Sequence, residues 1–305
     1  MSKNLKSFIL LGLVVLILGI IAACDSAEND KEEESQTKDV GATIEYTITG
    51  IEPGAGITGS AGDALEEYSN LEGYTLNESS TAAMLTSLDE AIDKEEPIVV
   101  TGWTPHWKFA KYELKFLEDP KGSFGEAENI NTIARLELEK DMPEAYTVLD
   151  RFFWEVEDME AVMLMTQEED MSFEEAASQW IKDNEDKVAE WTKGVEKVDG
   201  EEIELVSTPW DTERASTSVV KNVLTSLGYE VTDTPVDPAV MFQAVATNDA
   251  DASVAPWLPK THGSFYEEYK DEVIDLGPNL EGAKLGLVVP AYMEIDSIED
   301  LKPKE

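Results

Sequence analysis

The sequence has one cysteine, Cys24, and two histidines, His106 and His262, among its 305 residues. A single cysteine excludes a disulfide within the chain and a zinc site built from several thiolates. Neither histidine belongs to an HExxH pattern or to another spacing typical of metal ligands, so the sequence indicates no metal and no cofactor. The GxSxG motif of many hydrolases is also missing. Nothing in the sequence therefore calls for catalysis.

Basic residues are scarce as well. The chain has 23 Lys and Arg against 65 Asp and Glu, which gives a formal charge of -42. Proteins bind nucleic acid by neutralising phosphates with basic side chains, so this balance excludes a nucleic-acid partner. The acidity has two explanations: it steers cationic ligands, or it adapts the surface to high salt. The second is favoured, because strong salt shortens the screening length to about 3 Å and abolishes steering.

The amino terminus has the pattern of a secretory signal. Residues 1–6 carry two lysines and no acid, and residues 8–23 are an uncharged run that is short for a membrane-spanning helix. A retained membrane anchor is the alternative. Residues 25–40 are almost entirely charged or small and polar, with no apolar face to bury. We predict a signal peptide over residues 1–23 and an acidic tether over residues 24–42.

From residue 43 onward, short apolar runs alternate with helical patterns in two βαβαβ units. The first unit is predicted to begin with a strand over residues 43–51, followed by a glycine-rich turn over residues 54–62. The units repeat at one offset, since Gly56 and Trp210 are 154 residues apart, as are Trp103 and Trp257. Such self-similarity predicts two related α/β lobes. The segment between the units, residues 124–195, is predicted to be mainly helical.

Three tryptophans, Trp103, Trp210 and Trp257, each lie just after or at the end of a predicted strand. In open α/β sheets, ligands bind outside the carboxyl ends of the strands. A box of indole rings holds a quaternary ammonium group through cation–π attraction. We therefore expect these three side chains to wall one pocket between the lobes. The other candidates, Trp154, Trp180 and Trp191, fall in helical patterns and are expected in the core.

Two features could hold an anion near the tryptophans. Residues 54–59 fit GxGxxG between a predicted strand and helix. A nucleotide-dependent enzyme is out of place on a secreted chain, but the free N–H groups of Gly56 and Ile57 suit any anion, including a carboxylate. His262, five residues after Trp257, is placed to donate to the same carboxylate; the alternative is a partly exposed loop histidine. The role of His106 stays open.

These stretches resemble the glycine betaine-binding lipoproteins of ATP-driven osmoprotectant importers. The resemblance covers nearly the whole chain after the tether and includes TGWTPH, WDTERASTSVVKNVL, APWLPKTH and GPNLEGAKLGLVVPAYM. It implies an α/β, two-lobed periplasmic-binding-protein fold of the permuted type II, with a ligand cleft between the lobes. Lobe I is expected over residues 43–135 plus 272–305, and lobe II over residues 136–271. The Ile21–Cys24 ending resembles a lipobox, which implies lipidation of Cys24.

Carried over by motif, the resemblance implies that Trp103, Trp210 and Trp257 surround a trimethylammonium group. It also implies that the ligand's carboxylate is held by the backbone N–H groups of Gly56 and Ile57 and by His262. The expected protein is a monomer anchored outside the cell membrane, which delivers glycine betaine to an ABC permease without a cofactor. Proline betaine, dimethylsulfoniopropionate and choline are alternative ligands, although choline lacks the carboxylate. A secreted hydrolase is a more distant alternative.

Overall fold

The computed structural model describes residues 39–169 and 171–304. The predicted signal peptide, the predicted lipidation site at Cys24 and most of the predicted tether lie outside the described residues. Within the described ranges, no helix has both the length and the apolar character needed to cross a membrane.

Ten strands form one continuous sheet in the order β2-β1-β3-β10-β5-β8-β6-β7, with β4 paired to β10 and β9 paired to β5. The strands are β1 Thr47–Thr49, β2 Thr75–Asn77, β3 Val100–Thr104, β4 Leu114–Phe116, β5 Glu128–Arg135, β6 Glu202–Ser207, β7 Glu230–Pro235, β8 Ala252–Ser253, β9 Trp257–Leu258 and β10 Val273–Pro290.

The helices cover both parts of this sheet. In chain order they are α1 Val40–Thr43, α2 Gly56–Glu67, α3 Thr81–Asp93, α4 Trp107–Lys111, α5 Leu138–Asp141, α6 Pro143–Arg151, α7 Val156–Glu168, α8 Phe173–Asp183, α9 Glu185–Trp191, α10 Asp211–Ser226, α11 Pro238–Ala246 and α12 Gly263–Tyr269. Short 3-10 turns lie at Ser69–Leu71 and Ile298–Asp300.

The predicted internal repeat is confirmed by the strand pairing. In the first unit β1 lies between β2 and β3 and is parallel to both. In the second unit β6 lies between β7 and β8 and is parallel to both. The two units therefore have the same local topology, and the crossover helices α2 and α10 begin at equivalent places after β1 and β6.

One long strand, β10, joins the two halves of the sheet. Its residues 284–288 pair antiparallel with β3, and its residues 273–283 pair antiparallel with β5. Each half of the sheet forms a lobe with the helices that pack on it, so the expected α/β, two-lobed fold class is confirmed. The residue limits given above for the two lobes stay a prediction.

Three local predictions were wrong. Residues 128–135 belong to strand β5 and not to a helical segment, because they fill the gap between β10 and the β8 and β9 strands and complete their ladders. The first predicted strand, residues 43–51, shrinks to Thr47–Thr49, since a helical turn occupies Val40–Thr43. The glycine-rich stretch expected as a turn already forms the first turns of α2.

The expected helical core between the two units is confirmed for Trp154, Trp180 and Trp191, which are all buried. Helix α8 begins with a capping box, in which Ser172 Oγ accepts from the Glu175 N–H at 3.2 Å and Glu175 Oε2 accepts from the Ser172 N–H at 2.9 Å. Both helix-terminal donors are thereby satisfied.

Candidate functional site

A cavity lies between the two lobes, and its empty space, including the open mouth, is about 370 Å³. All six predicted ligand-binding residues line it: Gly56, Ile57, Trp103, Trp210, Trp257 and His262. The remaining lining residues are Ile51, Ala55, Thr212, Glu213, Thr261 and Leu285. Sequence motifs that are far apart in the chain thus meet in one place, while the ligand contacts assigned to them stay predictions.

The three tryptophans reach the cavity from different elements. Trp103 lies in β3, Trp257 forms β9, and Trp210 precedes the first residue of α10. Trp257 donates its indole N–H to Glu213 Oε1 at 2.7 Å, and Trp210 directs its own toward Glu52 Oε2 at 3.4 Å. These contacts hold the polar edges of two rings against carboxylates, so the ring faces remain for an apolar or cationic group.

The start of α2 supplies backbone donors to the cavity. Gly56 and Ile57 are the first two residues of this 12-residue helix, and the preceding Ala55 has no side chain that caps it. The first N–H groups of a helix have no partner within the helix and carry partial positive charge, which favours an anion. A Cβ on Gly56 would lie 2.5 Å from Thr261 Cγ2. Glycine is therefore needed here for the close approach of the two lobes.

His262 is buried, with 2% of its surface exposed, and its ring is held in a defined orientation. Its Nδ1 accepts a hydrogen bond from the backbone N–H of Trp257 at 3.0 Å. A neutral imidazole that accepts at Nδ1 carries its proton on Nε2, so Nε2 is a donor. Burial lowers the pKa of His262 to about 4, which keeps the ring neutral near pH 7. The side chain is therefore a neutral hydrogen-bond donor.

His106 is buried but does not line the cavity. Its Nδ1 accepts from the Lys108 N–H at 3.1 Å and caps α4. Its ring stands edge-on to the ring of Trp103, with centroids 4.9 Å apart. It therefore supports Trp103 from the side. Tyr292 also lies away from the cavity and donates to the carbonyl oxygen of Glu96 at 2.6 Å.

Sequence reasoning missed Glu128, a buried residue of β5. Its Oε1 accepts from the backbone N–H groups of Lys260 and Thr261 at 2.6 and 2.8 Å, and its Oε2 accepts from the Thr261 hydroxyl. These bonds hold the turn that follows β9 and precedes His262. Glu128 therefore positions the loop that brings Thr261 and His262 to the cavity.

Glu213 was also missed, although it belongs to the cavity lining itself. It lies in the first turn of α10, is only 2% exposed, and accepts from both Trp257 Nε1 and the Thr212 hydroxyl, the latter at 2.6 Å. Burial raises its pKa to about 7. Glu213 belongs to the WDTERASTSVVKNVL stretch, but with 65 acidic residues in the chain nothing in the sequence assigned it to the cavity.

The sequence model of the family OpuAC, described as the substrate-binding domain of the ABC-type glycine betaine transport system, matches residues 28–183 and 201–305. The chain belongs to this family. Among curated relatives, the glycine betaine/carnitine transport binding protein GbuC of Listeria monocytogenes is 50% identical over 300 residues, covering 98% of this chain and 99% of the relative. An uncharacterized protein, ORF1, of Chromohalobacter salexigens is 33% identical over 97 residues, covering 30% of this chain and 62% of that protein.

Solved structures of similar proteins include lactococcal OpuAC in a closed conformation with glycine betaine. It is 52% identical with a TM-score of 0.48, and the match covers 50% of this chain and 59% of that one. A choline-binding protein of an ABC transporter, solved with choline, is 23% identical with a TM-score of 0.45, and the match covers 62% of this chain and 61% of the other. The matched region thus spans about three fifths of these solved chains.

Proposed function

We propose that this OpuAC-family protein captures glycine betaine and delivers it to an ABC permease. The observation that carries the proposal is the convergence of three tryptophans, two free backbone N–H groups and one neutral histidine donor on a single cavity. Glycine betaine has a quaternary ammonium at one end and a carboxylate at the other, which matches an aromatic enclosure and a set of anion donors. The Listeria relative is named for the same ligand, and its sequence is similar along the whole chain.

The ammonium group binds against the indole faces of Trp103, Trp210 and Trp257. Each cation–π contact contributes about 0.5 to 2 kcal/mol, with the larger values where the cation is desolvated. Indole faces favour a weakly hydrated quaternary ammonium group over a strongly hydrated sodium ion, which suits a protein that works in concentrated salt.

The carboxylate accepts hydrogen bonds from the N–H groups of Gly56 and Ile57 and from Nε2–H of His262. Hydrogen bonds to an ionised group are shorter and stronger than those between neutral groups. The first two donors come from the lobe that contains β1, and His262 comes from the lobe that contains β9. A ligand held from both sides stabilises the closed arrangement over an open one.

Direct contacts between the lobes support this closure. Trp107 Nε1 donates to Asp211 Oδ2 at 3.0 Å, and Trp210 Nε1 is 3.4 Å from Glu52 Oε2. Both bonds join a residue near the first βαβαβ unit to the start of α10. We propose that the permease recognises the closed arrangement of the lobes.

Other ligands of the same chemistry remain candidates. Proline betaine, dimethylsulfoniopropionate and the carnitine named for the Listeria relative all combine an onium group with a carboxylate. Choline has no carboxylate and leaves the N–H groups of Gly56 and Ile57 without a partner. We therefore expect choline to bind more weakly than the zwitterions.

We further propose that the protein acts as a monomer without catalysis, outside the cell membrane, and is anchored through a lipidated Cys24. The support for the anchor comes from the sequence of the amino terminus, which lies outside the described residues. Radiolabelled palmitate should enter the wild-type protein and not the Cys24→Ala variant when each is expressed in a bacterium that processes lipoproteins.

Calorimetric titration with glycine betaine in high salt, with tryptophan fluorescence followed in parallel, tests the proposed function. We expect one saturable site, a change in fluorescence, and weaker binding of choline. A folded protein that gives neither heat nor fluorescence change with glycine betaine, proline betaine and choline would contradict the proposal.

A further inference from the structure

We infer that Glu213 is a further specificity-determining residue of the cavity, whose carboxylate serves as counter-charge to the quaternary ammonium while it holds Trp257 in place. This inference rests on the proposed function and adds a charged element to a site otherwise made of indole rings and neutral donors. It concerns a buried residue of α10 that neither the motifs nor the tryptophan pattern had indicated.

The geometry ties Glu213 to the aromatic enclosure. Oε1 accepts the indole N–H of Trp257 at 2.7 Å, and Oε2 accepts the Thr212 hydroxyl at 2.6 Å. All three of these residues line the cavity. A carboxylate that accepts the indole N–H fixes the rotation of that ring, so Glu213 determines which face of Trp257 the ligand meets.

An ionised carboxylate is energetically unfavourable at this buried position. An ionised group that is removed from water is strongly unfavourable unless a cation accompanies it. Within residues 39–169 and 171–304, Glu213 makes no ion pair with a lysine, arginine or histidine. A glutamine would accept the indole N–H without that cost. The missing cation is therefore the ligand's own ammonium group.

The surroundings of Glu213 contain few groups that could replace the ligand's charge. On α10 itself, Asp211 acts against ionisation of Glu213, and the adjacent guanidinium of Arg214 lies over the ring of Phe173. In the loop after β9, His262 is neutral because burial lowers its pKa to about 4. The residues of β3, β9 and α2 at the cavity are Trp103, Trp257, Gly56 and Ile57, none of which titrates between pH 5 and 9.

Charged groups on the other elements around α10 are engaged elsewhere. Glu160 of α7 contacts Thr104 and the His106 N–H, and Glu175 of α8 contacts Ser172. Asp233 of β7 contacts Ser207, and Lys108 of α4 donates to the Trp103 carbonyl oxygen. Burial raises the pKa of the Glu213 carboxyl group to about 7. An ammonium ion that enters favours the ionised form, so binding releases the proton.

The test compares wild-type protein with Glu213→Gln, which keeps the shape and an acceptor oxygen but removes the charge. Asp233→Asn is the matched control, since it makes the same chemical change at a partly buried acid of the same lobe, away from the cavity.

Each protein is titrated calorimetrically with glycine betaine between pH 5.5 and 8.5. We expect wild-type affinity to rise with pH through about 7. Glu213→Gln should show a flat profile and about tenfold weaker binding at pH 8, as for loss of one interaction with a charged group, while Asp233→Asn matches the wild type.

A second measurement needs no variant and decides the matter if Glu213→Gln does not fold. Wild-type protein is titrated with glycine betaine at pH 6 in two buffers that differ in ionisation enthalpy. We expect release of about one proton per ligand, because a group with pKa near 7 is mostly protonated at that pH and ionises on binding.

The outcomes separate the two proposals. Wild-type binding without proton release, or a Glu213→Gln profile that equals the wild type in affinity and slope, overturns the role of Glu213 and leaves the proposed function standing. Wild-type protein that binds no glycine betaine overturns the proposed function, and the role of Glu213 falls with it.

Discussion

Two groups of three tryptophans use the same side chain in opposite ways. Trp154, Trp180 and Trp191 pack against each other among helices α6 to α9. Trp180 and Trp191 stack with centroids 5.9 Å apart and an interplanar angle of 13°, and Trp154 meets Trp180 edge-on at 5.5 Å. In this group, which we call the helical cluster, the rings cover one another, so their contribution is to stability.

The second group, Trp103, Trp210 and Trp257, is here called the cavity cluster. In the described part of the chain none of these three rings packs against another member of the group. They line the cavity, and the N–H groups of Trp210 and Trp257 point to carboxylates. Six residues of one kind thus separate into two groups according to whether their rings pack against one another or line the cavity.

The largest expected effect is on stability, and it comes from the helical cluster. Trp180→Ala removes a buried ring, and such truncations lower the free energy of unfolding by about 3 to 5 kcal/mol. Affinity for glycine betaine should not change, because the ring lies away from the cavity. Chemical denaturation and calorimetric titration of the same sample check both statements. Loss of affinity in a folded Trp180→Ala protein would show that the helical cluster also contributes to ligand binding.

The next effect is on ligand affinity, at the part of the cavity that is proposed to hold the carboxylate. His262→Ala removes a donor to the ligand's carboxylate, and a hydrogen bond to a charged group contributes about 1.5 to 3 kcal/mol. Affinity for glycine betaine should fall by about tenfold to a hundredfold. Choline has no carboxylate and serves as the control ligand in the same calorimetric experiment. Equal losses for both ligands would mean that the substitution disturbs Trp257 and not the anion site.

A smaller loss is expected from the cavity cluster itself. Trp103→Ala removes one cation–π contact of about 0.5 to 2 kcal/mol, while Trp103→Phe keeps a weaker one. We expect affinity to fall in the order wild type, Trp103→Phe, Trp103→Ala, for glycine betaine and choline alike, in fluorescence titrations. Two variants with wild-type affinity would exclude Trp103 from the ammonium enclosure.

The last effect is a change of stability with pH that arises at Glu213, the residue that accepts the indole N–H of Trp257 in the cavity cluster. The folded protein holds the proton of Glu213 up to about pH 7, whereas the unfolded chain releases it near the ordinary pKa of 4.5. An acid with a raised pKa in the folded state lowers stability as pH rises between these values. The free energy of unfolding of Glu213→Gln should therefore increase relative to wild type between pH 4.5 and 7 and level off above.

Trp180→Phe is the control for that measurement, because no titrating group changes in the helical cluster. Denaturant unfolding of the three ligand-free proteins at several pH values gives the comparison. A constant difference between wild type and Glu213→Gln across this range would show that the carboxyl group titrates normally in the folded protein.

Much of the fold and the cavity lining followed from the sequence, because strand and helix patterns repeat at an offset of 154 residues and the tryptophans lie at strand ends. Strand β5 did not, since its position depends on partners more than a hundred residues away. The start of α2 at Gly56 was hidden because glycines favour turns, whereas here the lack of a Cβ permits the contact with Thr261. The roles of Glu128 and Glu213 depend on their burial and their hydrogen bonds, which the structure shows and the sequence does not.

The central claim is that the cavity cluster encloses a quaternary ammonium group. A crystal structure of the protein with glycine betaine tests it most directly. We expect the nitrogen atom among the indole faces of Trp103, Trp210 and Trp257, with the carboxylate at the N–H groups of Gly56 and Ile57 and at His262 Nε2. A ligand bound in the reverse orientation, or at another place on the molecule, would contradict the account.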